Sequence, residues 1–468
     1  MSAPYAAGFR TLDEEVSERR LPVEGDLPSW LDGVLVRNGP GAFEAGGESF
    51  DHWFDGLGML RRFAVADGAV TYTNRFLRSE TYERAREGAY AGQFGTSATG
   101  NGLRERLRAA LVPRATDNAN VHVQRVGDRA VATTETTRAV EFDPATLDAR
   151  GEWTFDDDLT AHHRCSHPIR DPETGAMWNV ATRFGRQSTY SVRRRAAGET
   201  ARTEVATVPV DRPAYVHSFA LSESHVVIVE SPLVVHPLRL LAPGTTPFIE
   251  RYRWRPARGT RFTVVDRATG EVVGRPRAPP FFCFHQVGAF EDGDDVVVDL
   301  VAFEDASAVS ALSLDALRAG DAPGLAGSLL RCRVPLDGDA DAVDVERRHE
   351  GITLPRIAPG RHTRGYRYAY GQSPGDAGFA TGVVKVDVPN GTATTWRPDG
   401  ETYPGEPVFV PRPGGTAEDD GVLLVVALDG EAERSVLHCL DAQTLAETGR
   451  APLPHVLPFD FHGRFWSR

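Results

Sequence analysis

The chain alternates apolar and polar residues with the period of a strand along most of its length, and seldom with that of a helix. Leu60 to Phe63 and Val70-Thr71-Tyr72-Thr73 read as early strands, while Val226 to Val229, Val296 to Phe303 and Val422 to Leu428 are apolar runs with few interruptions. A two-residue period puts alternate side chains on opposite faces of a sheet, whereas a near-continuous apolar run predicts a strand covered on both faces. Between the strands a turn recurs: Asp143-Pro144-Ala145-Thr146-Leu147, Asp171-Pro172-Glu173-Thr174-Gly175, Asp266-Arg267-Ala268-Thr269-Gly270 and Asp441-Ala442-Gln443-Thr444-Leu445. A looser copy is Asp387-Val388-Pro389-Asn390-Gly391-Thr392. Such Asp, Asn, Gly and Pro clusters close hairpins through side-chain to backbone bonds. Short antiparallel units repeated over 468 residues predict an all-β chain of the propeller type, because a sandwich would end sooner. The repeats are too irregular to fix the number of blades. No linker, low-complexity stretch or composition shift marks a boundary, so one domain over residues 1–468 is expected.

One segment does carry a helical period. Leu103, Leu107 and Leu111 are spaced i, i+4, i+8 among Arg104, Arg106, Arg108 and Arg114. A basic amphipathic helix of this kind suits peripheral contact with a membrane; a surface helix packing its leucines inward is the other reading.

Composition narrows the class. Hydrophobic residues make up 41% of the chain, with 46 Gly and 32 Pro, which suits a packed protein rich in turns and argues against disorder. The net charge of -13 argues against a general nucleic-acid binder, since a phosphate backbone calls for a basic surface. Lys385 is the one lysine, in Val383-Val384-Lys385-Val386, so Schiff-base chemistry has a single candidate, and a plain strand position is the simpler reading. Cys165, Cys283, Cys332 and Cys439 lie far apart with no C-x-x-C pair, and are expected to be reduced and buried. No leader-like segment or membrane-spanning run is visible, so a cytoplasmic location is expected, with Leu103, Leu107 and Leu111 the candidates for any peripheral membrane contact.

Among 14 histidines, most sit beside charged or turn residues, but four stand apart. His285 ends the run Phe281-Phe282-Cys283-Phe284. His167 lies in Ser166-His167-Pro168-Ile169, His217 in Tyr215-Val216-His217-Ser218-Phe219, and His462 in Phe461-His462-Gly463 near the end of the chain. Taken singly, each is as readily a core histidine with satisfied nitrogens. Taken together they suit a metal centre, provided that strands from different blades aim at one axis; imidazole-only ligation fits iron, copper or zinc. A ligating His passes its other N–H to a carboxylate or carbonyl. Glu135, in Ala132-Thr133-Thr134-Glu135, and Glu406, in Pro404-Gly405-Glu406-Pro407, are carboxylates in strand-like settings that suit this task.

These residues resemble the carotenoid cleavage oxygenases, a family that also includes stilbene-cleaving oxygenases and a retinoid isomerohydrolase. The resemblance runs from Arg37-Asn38-Gly39-Pro40-Gly41 and Asp51-His52-Trp53-Phe54-Asp55-Gly56 through the four histidine segments, with Arg367-Tyr368-Ala369-Tyr370-Gly371 and Glu418-Asp419-Asp420-Gly421-Val422 between them. It implies a seven-bladed β-propeller, with loops and short helices forming a cap over Fe(II) held on the axis by His167, His217, His285 and His462. His162 and His163 compete for the first of these positions. The family supports three ligands with glutamates; Glu135 and Glu406 match two, and the third falls on Thr353 in Gly351-Ile352-Thr353-Leu354. Stilbene-cleaving relatives place a lysine just before the first glutamate, where this chain has Thr134. The resemblance therefore implies an apolar polyene and O2 as substrates, the alkene being cut to two carbonyl products.

Overall fold

The apolar runs become the middle strands of seven antiparallel sheets arranged as the blades of a β-propeller. The computed structural model describes residues 3–90, 94–97, 115–240, 246–320, 325–337, 340–375 and 379–468, so the Leu103, Leu107 and Leu111 segment lies outside the described residues. In chain order the blades are built on residues 33–76, 122–153, 163–210, 220–278, 282–350, 353–396 and 402–452. The ring is closed twice. His462–Ser467 pairs with Gly33–Ala42 as the innermost strand of the first blade, and Glu24–Gly25 pairs with Glu447–Pro452 at the outer edge of the seventh.

Blade packing explains the hydrophobic pattern. Middle strands are sandwiched between neighbouring blades, so Val226 to Val229 and Val296 to Val301 are buried on both faces. Val192 and Val208 of the third blade pack on Val226 and Ile228 of the fourth, and Val227 and Val264 of the fourth on Val296 and Val298 of the fifth. Outer strands such as Thr392–Trp396 face solvent almost throughout and carry no apolar run.

Three of the recurring Asp turns, at Asp143, Asp266 and Asp441, close outer-blade hairpins, and the fourth, at Asp171, joins the short inner strand Ile169–Arg170 of the third blade to Met177–Arg183. The carboxylates of Asp143, Asp171, Asp266 and Asp441 accept from the amide two residues on, at 2.8, 3.0, 2.9 and 3.1 Å. The residue four places after the Asp takes a positive φ: 66° at Leu147, 70° at Gly175, 76° at Gly270 and 60° at Leu445. Glycine adopts that conformation without strain; the two leucines are held in it by burial in inter-blade cores.

Lys385 occupies the plain strand position. Its Nζ lies 2.6 Å from Asp419 and donates to the Gln443 carbonyl at 2.9 Å. All four cysteines are buried and unpaired, as expected.

Blades are also stapled by polar side chains. Glu291 of the fifth blade accepts from Ser222 Oγ at 2.7 Å, from the amides of Glu223 and Ser224 at 3.1 and 2.9 Å, and contacts His225 Nδ1 at 3.1 Å, all on the fourth blade. Burial pushes its carboxyl up, but His225, Ser222 and the two amides outweigh burial and hold it down at about 2. A depressed carboxyl stabilises the fold above its unfolded value of about 4.3, and that stability is lost as pH falls through the folded value. Glu291→Gln is expected to lower stability by about 2 kcal/mol at neutral pH. In urea titrations the gap should shrink as pH falls from about 4 toward 2; a gap that does not change with pH would remove Glu291 from this role.

On one side of the propeller a cap covers the axis. It includes the 3-10 turns Pro4–Phe9 and Trp53–Asp55, the helices Glu80–Arg86 and Leu314–Ala319, and a small sheet of Leu233–Val234 with Arg253–Trp254. These elements share one aromatic cluster with inner-strand residues Phe282, Phe284 and Phe461.

Candidate metal centre

Four imidazoles meet where the inner edges of the first, third, fourth and fifth blades converge. His462 opens the innermost strand of the first blade; His167 lies between the two short inner strands of the third; His217 precedes the inner strand of the fourth; His285 sits on the inner strand of the fifth. One nitrogen from each lies within 4.8 Å of those of the others. The backbone sets this up locally. Register shifts flank His285 between Cys283, Gln286 and Gly288, and a bulge of this kind re-aims a side chain. The amide of Ser166 donates to the His217 carbonyl at 3.0 Å, and Ser218 Oγ donates to the Phe284 carbonyl at 2.6 Å, so three ligand segments are stitched together. Gly39 lets the fourth approach: a Cβ there would lie 2.4 Å from the Asp460 backbone.

Two carboxylates orient two of the rings. Glu135, just after the strand Arg129–Thr133, lies 2.5 Å from His217 Nδ1, accepts from Tyr215 Oη at 2.6 Å, and has its other oxygen 3.3 Å from His163 Nε2. Glu406, between two short strands of the seventh blade, lies 2.7 Å from His462 Nδ1. It also accepts from Arg356 at 2.7 and 3.0 Å, from Arg37 at 3.1 Å and from the Gly463 amide at 2.9 Å. Burial pushes both carboxyls up, but His163 and His217 at Glu135, and Arg356, His462 and Arg37 at Glu406, hold them well below the usual range. An ionised carboxylate on Nδ1–H leaves the Nε2 lone pair pointing at the shared centre, which is the tautomer a metal needs.

The donor set fits a metal cation. Nε2 of His285 is buried without a hydrogen-bond partner, and Nε2 of His167 and His217 face each other at 3.1 Å. Burial, then neighbouring imidazoles, hold His167 and His285 well below the ordinary histidine range, so these rings are neutral donors. A cation among four inward lone pairs removes both the unpaired acceptor and the lone-pair repulsion.

The surroundings are dry. Phe284 lies against His217 with ring centres 5.5 Å apart, and Phe54 bridges Phe284 and Phe461 at 5.9 and 5.3 Å. The run before His285 divides by face: Phe282 and Phe284 join this aromatic wall, whereas Phe281 and Cys283 pack between the fourth and fifth blades.

The remaining sequence candidates fall elsewhere. His162 accepts from the Phe184 amide at 3.0 Å, and His163 sits on Glu135, so neither joins the four. Thr353 donates to Gln372 at 3.0 Å in the sixth blade. Among the described residues neither His167 nor His285 has a carboxylate within hydrogen-bond reach. Sequence reasoning missed a fifth imidazole, His122, whose ring lies 5.7 Å from that of His167 and 6.2 Å from that of His462. Its Nδ1 accepts from the Val123 amide at 2.9 Å and its Nε2 lies 3.4 Å from Arg464. It also missed Tyr215, Arg37 and Arg356. The signal for His122 was available, a histidine between two valines of a strand; nothing local marks the arginines.

Comparison with known proteins settles the lineage. The family model described as retinal pigment epithelial membrane protein, the model of the carotenoid oxygenases, matches residues 9–467. The chain belongs to the carotenoid oxygenase family. This family member is 34% identical to a carotenoid isomerooxygenase of Galleria mellonella, over 98% of this chain and 96% of the relative. It is 33% identical to carotenoid cleavage dioxygenase 8 homolog B, chloroplastic, of Oryza sativa, over 97% of this chain and 83% of the relative. Cobalt-substituted apocarotenoid oxygenase of Synechocystis has the same fold, with a TM-score of 0.89 and 26% identity, covering 100% of this chain and 99% of that one. As a carotenoid oxygenase the chain is an enzyme of the dioxygenase type.

Proposed function

We propose that this carotenoid oxygenase uses Fe(II), held by His167, His217, His285 and His462, to cleave a conjugated double bond of a carotenoid or apocarotenoid. The observation that carries the reading is the set of four inward imidazoles, two of them set by buried carboxylates, beside a wall of aromatic rings. A ferrous ion in that set would supply the redox chemistry with O2 that cutting C=C to two carbonyls requires. The balance is one alkene and one O2 to two C=O groups, with no further oxidant or reductant.

The chain's own residues supply position and exclusion. Glu135 and Glu406 fix the rings of His217 and His462, so their lone pairs need no reorganisation. Phe54, Phe284 and Phe461 offer flat apolar faces to a polyene and keep water from the reacting carbons. Thr134 brings no cation beside Glu135, which favours an apolar polyene over a phenolic stilbene.

Iron-reconstituted protein incubated with carotene, apocarotenals, resveratrol and a retinyl ester tests the substrate class. Two carbonyl fragments from a polyene are expected. Turnover of the stilbene or the ester alone would contradict the reading, and a cis bond in a fragment would bring the activity nearer to the Galleria mellonella isomerooxygenase.

A further inference from the structure

The cap sheet that carries part of the aromatic wall presents a different chemistry on its outer side. Arg251 closes the 3-10 turn Ile249–Arg251 and the chain then runs extended through Arg253–Trp254, so Tyr252 and Trp254 turn inward while Arg253 and Arg255 are exposed on the other face. Tyr252 is 4% exposed and its ring lies 6.0 Å from that of Tyr215, which donates to Glu135. Backbone bonds bring two more segments alongside. The Arg255 amide donates to the Pro232 carbonyl at 2.8 Å, and the Val235 amide to the Pro213 carbonyl at 3.0 Å, which sets Arg212 beside His236 and Arg239. Arg251 donates to the carbonyls of Thr246 and Arg239 at 3.1 and 2.6 Å.

The result is a cavity of about 180 Å³ lined by Arg212, Val234, His236, Arg239, Arg251, Arg253 and Arg255, with no carboxylate in its wall. Many arginines elsewhere in this acidic chain are paired with carboxylates, as in Arg331 with Asp299, Arg202 with Asp157 and Arg261 with Glu230, while others such as Arg61 and Arg164 donate to backbone carbonyls. Arg212, Arg239, Arg253 and Arg255 bring guanidinium groups of like charge around one cavity, and among the described residues no carboxylate lines it. An oxyanion would offset that charge, because planar guanidinium forks match phosphate oxygens in pairs.

We propose that this cavity binds a phosphate-bearing anion. Leu238, next to Arg239, is 64% exposed, and an apolar side chain beside a cationic cavity suits a phospholipid headgroup, the chain of which it would meet. The site is separate from the metal centre and stands whether or not the proposed reaction does.

Full-length protein is titrated by calorimetry with inorganic phosphate and pyrophosphate, and by sedimentation with vesicles of phosphatidylcholine alone or mixed with phosphatidylglycerol. The charge-reversed double variant Arg253→Glu with Arg255→Glu runs beside it, its thermal midpoint serving as the folding control. Binding to phosphatidylglycerol vesicles, to the free anions or to both is expected, weakened about tenfold or more in the variant and reduced by added salt. Vesicle binding without free-anion binding assigns the lipid headgroup, and the converse assigns a soluble phosphate; either supports the site. If charge reversal impairs folding, Arg253→Gln with Arg255→Gln gives the same comparison without new charge. Binding to none of the probes, or equal binding by a folded variant, overturns the proposal.

Discussion

Glu406→Ala is expected to destabilise the protein by about 3–5 kcal/mol, because it removes the one buried carboxylate shared by Arg37, Arg356 and His462. Arg37 keeps Asp460 as a partner, at 2.9 Å from its Nε, but Arg356 is left with the Gly463 carbonyl alone. The loss is therefore mostly that of Arg356, a partly buried cation stripped of its counter-charge. Glu406→Gln preserves the volume and one acceptor, so it should fold with a smaller penalty while losing the charge that holds the His462 tautomer. Its iron affinity is expected to fall by about 10–100-fold. Urea unfolding of both variants, with iron titration of Glu406→Gln, checks this; a Gln variant with undiminished iron affinity would reduce Glu406 to a structural ion pair.

Removal of a single ring should be more severe for the metal and milder for the fold. His217→Ala and His285→Ala are each expected to lower iron affinity by more than about a hundredfold and to abolish turnover. His122→Ala is the internal control. Its ring borders those of His167 and His462, yet its Nδ1 is occupied by the Val123 amide and it lies outside the four convergent nitrogens. Iron content of the His122 variant should match that of the unaltered protein. If His122→Ala loses iron as His217→Ala does, the donor set is misassigned.

Much of this was legible in the chain itself, for a physical reason. Middle strands are buried on both faces, so Val226 to Val229 and Val296 to Val301 announce themselves, whereas the solvent-facing Thr392–Trp396 leaves no hydrophobic trace. The Asp turns were readable because their bonds are local, spanning two or three residues. The blade number was not, since irregular insertions such as the Leu233 to Trp254 sheet spoil the spacing. At the centre, the four histidines stood out as polar groups in apolar settings. Their partners did not, because Arg37 and Arg356 reach Glu406 from 369 and 50 residues away. The motifs Arg37-Asn38-Gly39 and Asp55-Gly56 likewise matched a family before they had a role. Arg37 neutralises Glu406 and Asp460, Asn38 donates to the carbonyls of Ala119 and His122, and Asp55 accepts from the amides of Phe94, Gly95 and Thr96.

The most direct test of the central claim is turnover of a polyene by the iron-loaded protein under heavy oxygen gas, with fragments analysed before their carbonyls exchange with water. The predicted result is two carbonyl fragments that both carry the label, dependent on iron and lost in His285→Ala. An intact polyene, or cleavage that persists after iron is removed, would contradict it.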